Sequence, residues 1–260
     1  MREPSRLPKV AALPAAIAVG FLLLPLVGLI EQAPWSRASS ALSASGAWTA
    51  LRLSAIVSVW AALLSTLLGV PLAWAIARGN FRGRSLLKAV SVLPLVLPPV
   101  VGGIGLLAAL GRSGLAGSLL HHLGIQLTFS TAGAVVASTF VSMPLVVIAT
   151  EAGLRSLDPR FEMAAAAMGS SPTRTFVTVT LPMLRPQLTA GVVLAWARAL
   201  GEFGATITFA GNLPGRTQTL PLAAYQALQT DPGAAIVTSL LLVAVSLGIL
   251  IALRGRLLNS

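Results

Sequence analysis

Two stretches of this chain gather the side chains that could do chemistry. The first runs from Asp158 to Arg185 and sets Asp158, Arg160, Glu162, Arg174 and Arg185 around a run of alanines. Charges about a bare alanine surface suit the docking of a partner in water rather than bond making. The second runs from Gly201 to Leu222 and places Glu202, Thr206, Thr208, Asn212 and Arg216 close behind Arg198. Arg198 and Glu202 are four residues apart, on one helix face, and can neutralise each other. Ionisable residues within a membrane face a bundle interior or a water cavity, so this pair either joins packed helices or borders a path. There is no cysteine, which excludes disulfides, thiolate metal sites and cysteine nucleophiles. His121 and His122 lack a third ligand at metal spacing and are read as solvated loop residues. No G-x-x-x-x-G-K-[ST] phosphate loop and no paired-carboxylate site is present. The chain is therefore expected to have no catalytic residue, no metal and no cofactor of its own.

The elements that must position these groups follow from composition. Of 260 residues, 55% are hydrophobic and only 10% charged, with a mean hydropathy of +0.86. A soluble domain carries roughly 25% charged residues, so this is an integral membrane protein. Apolar runs of about 20 residues, enough to cross a hydrocarbon core of about 30 Å, recur without strand-like alternation, so the spans are helices. Six are expected, at about 10–30, 48–77, 86–110, 131–153, 187–210 and 233–253. The first exceeds a signal-peptide core of about 7–15 residues and is read as retained. The third contains Pro94, Pro98, Pro99 and three glycines, which predicts a bent or broken helix. Of the 18 basic residues, thirteen flank the ends that share a side with the N-terminus. The other five are Arg37, Arg52, Arg112, Arg198 and Arg216. The positive-inside bias then puts both termini, and the polar insert at about 154–185, in the cytoplasm. The net charge of +11 is a topology signal, not a nucleic-acid one.

Within the insert, Asp158-Pro159 predicts a helix start and Arg160 to Met168 a short helix rich in alanine. Gly169 can close it with positive φ, and Ser171-Pro172 opens the next segment. The spacing Ala164-Ala165-x3-Gly169-x9-Val179-x-Leu181-Pro182 resembles the EAA loop of ABC-importer permeases, E-A-A-x3-G-x9-I-x-L-P. Met163 stands at the family's glutamate, Val179 at its isoleucine, and Glu162 lies one position early.

The run Gly201-Glu202-Phe203-Gly204-Ala205-Thr206-Ile207-Thr208-Phe209-Ala210-Gly211-Asn212, continued to Leu222, resembles the molybdate-type permeases within that group, as does Pro94–Pro99. Sulfate permeases share a weaker form. The resemblance covers roughly residues 48–253, within a single transmembrane domain spanning 1–260. It implies an all-α membrane protein of the type I ABC-importer permease (MetI-like) fold in a bacterial or archaeal inner membrane. It also implies a homodimer, two cytoplasmic ABC ATPase subunits that bring ATP–Mg, and an extracytoplasmic molybdate-binding protein, set in lipid. The coupling loop would comprise Glu162, Met163, Ala164, Ala165, Gly169, Val179, Leu181 and Pro182, with Ala164, Ala165 and Gly169 closest to the ATPase. The path would draw on Arg198, Gly201, Glu202, Gly204, Thr206 and Thr208, with Glu202 orienting Arg198 or nearby backbone rather than binding the anion. A sulfate or thiosulfate permease, and a carrier or channel driven by an ion gradient, are the competing readings.

Overall fold

The computed structural model describes residues 9–258. Arg2 and Arg6, two of the thirteen residues in the charge count, lie outside them. Every regular element among the described residues is helical. The first half holds α1 (Lys9–Glu31), α2 (Ala38–Ala44), α3 (Ala47–Arg78), α4 (Arg84–Val96), α5 (Pro99–Leu110), α6 (Gly117–His122) and α7 (Thr131–Ser156). The second holds α8 (Arg160–Ala167), α9 (Pro172–Thr175), a π-helical turn (Phe176–Thr180), α10 (Leu181–Met183), α11 (Arg185–Leu200), α12 (Gly204–Phe209), α13 (Leu220–Thr230) and α14 (Pro232–Leu258). Among the described residues four helices, α1, α3, α7 and α14, are long and apolar enough to cross a membrane unbroken, and counting each of two bent pairs as one span, α4 with α5 and Pro172–Met183 with α11, gives up to six.

The third span breaks where proline chemistry demands it. Leu97, ahead of Pro98, is extended, and α5 restarts with Pro99 in its first turn. The chain turns through 119° between α4 and α5. The fifth span departs from the continuous helix expected at 187–210, because α11 stops at Leu200. At 1.5 Å per residue its 16 residues reach about 24 Å, short of a core of about 30 Å. The short α12 continues the segment after a three-residue interruption. The cause is local: the Ala205 N–H donates to the Glu202 carboxylate at 2.7 Å instead of continuing the α11 ladder.

Small residues hold the bundle together. In lipid there is little hydrophobic drive between helices, so close packing and hydrogen bonds must associate them. α3 and α7 run against each other, joined by Ser65 and Ser142, whose hydroxyls lie 2.9 Å apart in the buried interior. A Cβ on Gly69 would meet Val146 at 3.3 Å. α11 closes on the same pair: a Cβ on Gly191 would lie 2.8 Å from the Ala149 methyl, and one on Gly153 would meet Leu184 at 2.9 Å. By contrast, every residue of α1 from Ala11 to Val27 is exposed. It packs along α14 and stands off the rest of the bundle.

The glycine contact between α7 and α11 gives a stability prediction. Gly191→Leu overpacks this contact and should cost about 1–3 kcal/mol. A lowered thermal unfolding midpoint of the detergent-solubilised protein would show it, and an unchanged midpoint would contradict the packing described.

Candidate functional site

The polar insert folds as a capped helix with its own return strap. Asp158 Oδ1 accepts from the Arg160 N–H at 2.9 Å and starts α8. Gly169, at φ +81°, ends it, with the Ser170 N–H on the Ala165 carbonyl at 3.0 Å. Ser171 Oγ caps α9 by accepting from the Arg174 N–H, and Pro172 follows in the first turn. Leu181 and Phe176 then pack on the cluster of Val70, Val146 and Ala195, which returns the strap to the bundle. Val179 and Pro182 are half-buried beside them.

The outward face of α8 is apolar. Phe161, Met163 and Met168 are exposed, Met168 at 83%, with Ala164 and Gly169 open among them. Ala165, expected beside Ala164 in a partner contact, is instead buried at 5% exposure. The helical turn carries adjacent residues to different faces, and this one meets the chain's own strap. Glu162 turns inward as well. Its Oε2 lies 3.2 Å from Arg78 Nε at the end of α3, and its Oε1 accepts from the Thr180 hydroxyl at 2.9 Å. It therefore fastens the insert to α3. Nothing local in the sequence links Arg78 or Thr180 to Glu162; both lie more than a dozen positions away.

The second stretch centres on the break after α11. Glu202, 1% exposed, accepts from Arg198 Nη1 on Oε2 and from the Ala205 N–H on Oε1. Gly201 beside it is exposed. Gly204 packs where a Cβ would strike Pro99 at 2.8 Å, and Gly103 where one would strike the Thr208 Cβ at 2.7 Å. The break in the fifth span thus sits against the break in the third. Thr208 donates to the Gly204 carbonyl at 2.7 Å, while the Thr206 hydroxyl is fully buried without a partner among the described residues. Of the six path residues named from the sequence, Arg198 and Gly201 reach open space; Glu202, Gly204 and Thr206 are enclosed and Thr208 is half-buried.

Beyond α12 the run becomes an ordered turn rather than helix. The Leu213 N–H donates to Thr217 Oγ1 at 2.8 Å, and Gln226 Oε1 accepts from both Asn212 and Gln218. The Leu220 N–H donates to Ser54 Oγ at 2.7 Å, pinning α13 to α3. At the far end of α7, Glu151 is gripped by Lys88 at 2.9 Å and Arg155 at 2.8 Å, which ties α4 to α7. Sequence reasoning did not pair these groups, since Lys88 and Glu151 meet only once α4 folds back on α7.

Comparison with known proteins places this arrangement. The family described as "Binding-protein-dependent transport system inner membrane component" matches residues 65–259. A molybdenum transport system permease protein of Mycobacterium bovis is 44% identical over 256 residues, covering 98% of this chain and 97% of that one. A sulfate transport system permease protein of Synechococcus elongatus is 42% identical over 184 residues, covering 70% of this chain and 64% of its own length. Among solved structures, a bacterial ABC transporter involved in alginate import matches with a TM-score of 0.78 at 18% identity, over 96% of this chain and 94% of that one. At that identity the likeness is one of fold.

The fastening of the insert can be tested without any transport assay. Glu162→Ala removes the carboxylate that pairs with Arg78 and accepts from the Thr180 hydroxyl. Hydrogen exchange across 160–180 should accelerate while α3 and α7 keep their protection. Unchanged protection in the insert would mean that the clamp does not hold it.

Proposed function

We propose, since this chain belongs to the family of binding-protein-dependent transport system inner membrane components, that it is the permease subunit of an ATP-driven importer carrying molybdate, and its congener tungstate, into the cytoplasm. The observation that carries this reading is the 44% identity to a molybdenum permease over 98% of the chain. The likeness to a sulfate permease covers less of both chains. The chemistry agrees. A tetrahedral dianion needs cationic, hydroxyl or amide partners, and a conduit must hold it weakly enough to let it go. The one carboxylate of the fifth span is buried on its own cation and backbone, out of the way of such cargo.

In this reading two copies pair around a central path and assemble with two cytoplasmic ATPase subunits. An extracytoplasmic molybdate-binding protein delivers the anion. Both termini and α8 face the cytoplasm, which the thirteen-to-five distribution of basic residues supports. The exposed methionines of α8 suit an adaptable apolar seat on the ATPase. The chain itself performs no chemistry on ATP, and molybdate is its cargo rather than a resident group.

Two experiments test the proposal. The reconstituted permease–ATPase complex, supplied with the binding protein, should take up labelled molybdate in preference to sulfate, and only with ATP. Preferential sulfate uptake would move the cargo to the sulfate group. Uptake by the permease alone would make it a carrier or channel. The second concerns docking: Ala164 is exposed on the outward face of α8 in regular helix, so Ala164→Trp projects outward without straining the backbone. That variant should lose the ATPase or hydrolyse ATP without transport. Normal assembly and uptake would refute α8 as the docking element.

A further inference from the structure

The Arg198–Glu202 pair is more than a neutral filler between helices. Glu202 is 1% exposed and both its oxygens are committed, one to Arg198 and one to the Ala205 N–H. Arg198 is not enclosed in the same way. Its side chain is 32% exposed, and Nη1 alone of its three nitrogens makes a hydrogen bond among the described residues. Among the described residues Nε and Nη2 make no hydrogen bond, and neither is a fully buried atom left without a partner. The guanidinium is a planar fork whose edges match the oxygens of a tetrahedral anion. One edge is held by Glu202, and the other is presented outward.

The face beside it is open. Leu194, Ala197 and Gly201 follow one another along α11 at helical spacing and are all exposed, while Gly191, Ala195 and Ala199 face the bundle. Arg198 stands at the edge of that open stripe. Gly201 beside it leaves room for an anion to approach.

We propose that Arg198 is the contact for the travelling oxyanion and that Glu202 is its positioning residue. This rests on the reading of the chain as an oxyanion permease. Glu202 occupies one edge of the guanidinium, aims the other at the open face of α11, and cancels its charge. The cancelled charge keeps the hold on a dianion brief, which is what a conduit requires. The same carboxylate caps the restart of the chain at Ala205, so the aim of the cation is fixed to the geometry of the break. An ion pair serving packing alone would need no exposed edge on its arginine.

The test uses the permease–ATPase complex without binding protein, with radiolabelled molybdate in equilibrium dialysis. Glu202→Gln keeps an acceptor for Ala205 but turns an amide donor toward Arg198, freeing its charge. It should bind molybdate about tenfold more tightly than wild type and, with binding protein added, transport it more slowly. Arg198→Gln and the double variant should show no such gain. Unchanged affinity in an assembled E202Q complex, or a gain that survives in the double variant, overturns the proposal. If E202Q does not assemble, the wild type decides: phenylglyoxal labelling of Arg198, read by peptide mass spectrometry, should be slowed by molybdate, and absence of protection overturns it. Wild-type uptake separates the two levels. No molybdate uptake at all sinks the permease reading, whereas normal uptake with unprotected Arg198 sinks only this assignment.

Discussion

A helix broken inside hydrocarbon must find partners for the backbone groups that the break sets free, because no water is there to take them. In this protein that constraint is met after Leu200 by a single carboxylate. Glu202 takes the Ala205 N–H that α11 no longer satisfies, and Arg198 supplies the opposite charge that makes a buried carboxylate tolerable. Nearly everything distinctive about the fifth span follows from it. The span can stop and restart, and its restart can lie against the proline break of the third through Gly204 and Gly103.

The rest of the bundle obeys the same solvent. Lipid rewards burial of apolar surface hardly at all, so α3, α7 and α11 approach through glycine, alanine and serine. The seam of Ser65 and Ser142 and the contacts at Gly69, Gly153 and Gly191 carry this out. The insert obeys a different solvent. In water, α8 is built from caps, a positive-φ glycine and an ion pair, the usual devices of a soluble helix. One chain thus uses two sets of rules, and the boundary between them falls near Leu157 and Leu184, both buried in one cluster.

Much of this was legible in the order of residues. Spans free of breaks can be read from hydropathy to within a few positions, as α3 and α7 show, since length and apolar content alone define them. The ends of α8 were legible too, because Asp158, Gly169 and Ser171 act on backbone within a few residues of themselves. The third span announced its break through prolines. The fifth did not, since its interruption depends on a side chain choosing a backbone partner three residues ahead, and a glutamate in an apolar run does not declare that choice. The fastening role of Glu162 was hidden for a related reason. Its partners Arg78 and Thr180 come near only through folding, and neither carries a local mark. Ala165 was hidden among identical neighbours, whose facing depends on the phase of the helix rather than on residue type.

The fastening of α8 has a mechanical corollary. The helix is joined covalently to α7 through Leu157, returned to α11 through Leu181 and Pro182, and hooked to the tip of α3 through Glu162. A part attached at three points has fewer ways to swivel than one held only at its two chain ends. In the proposed docking, a load on its exposed methionines would be shared among these three spans. The insert is braced as a tripod is, rather than hung from a hinge.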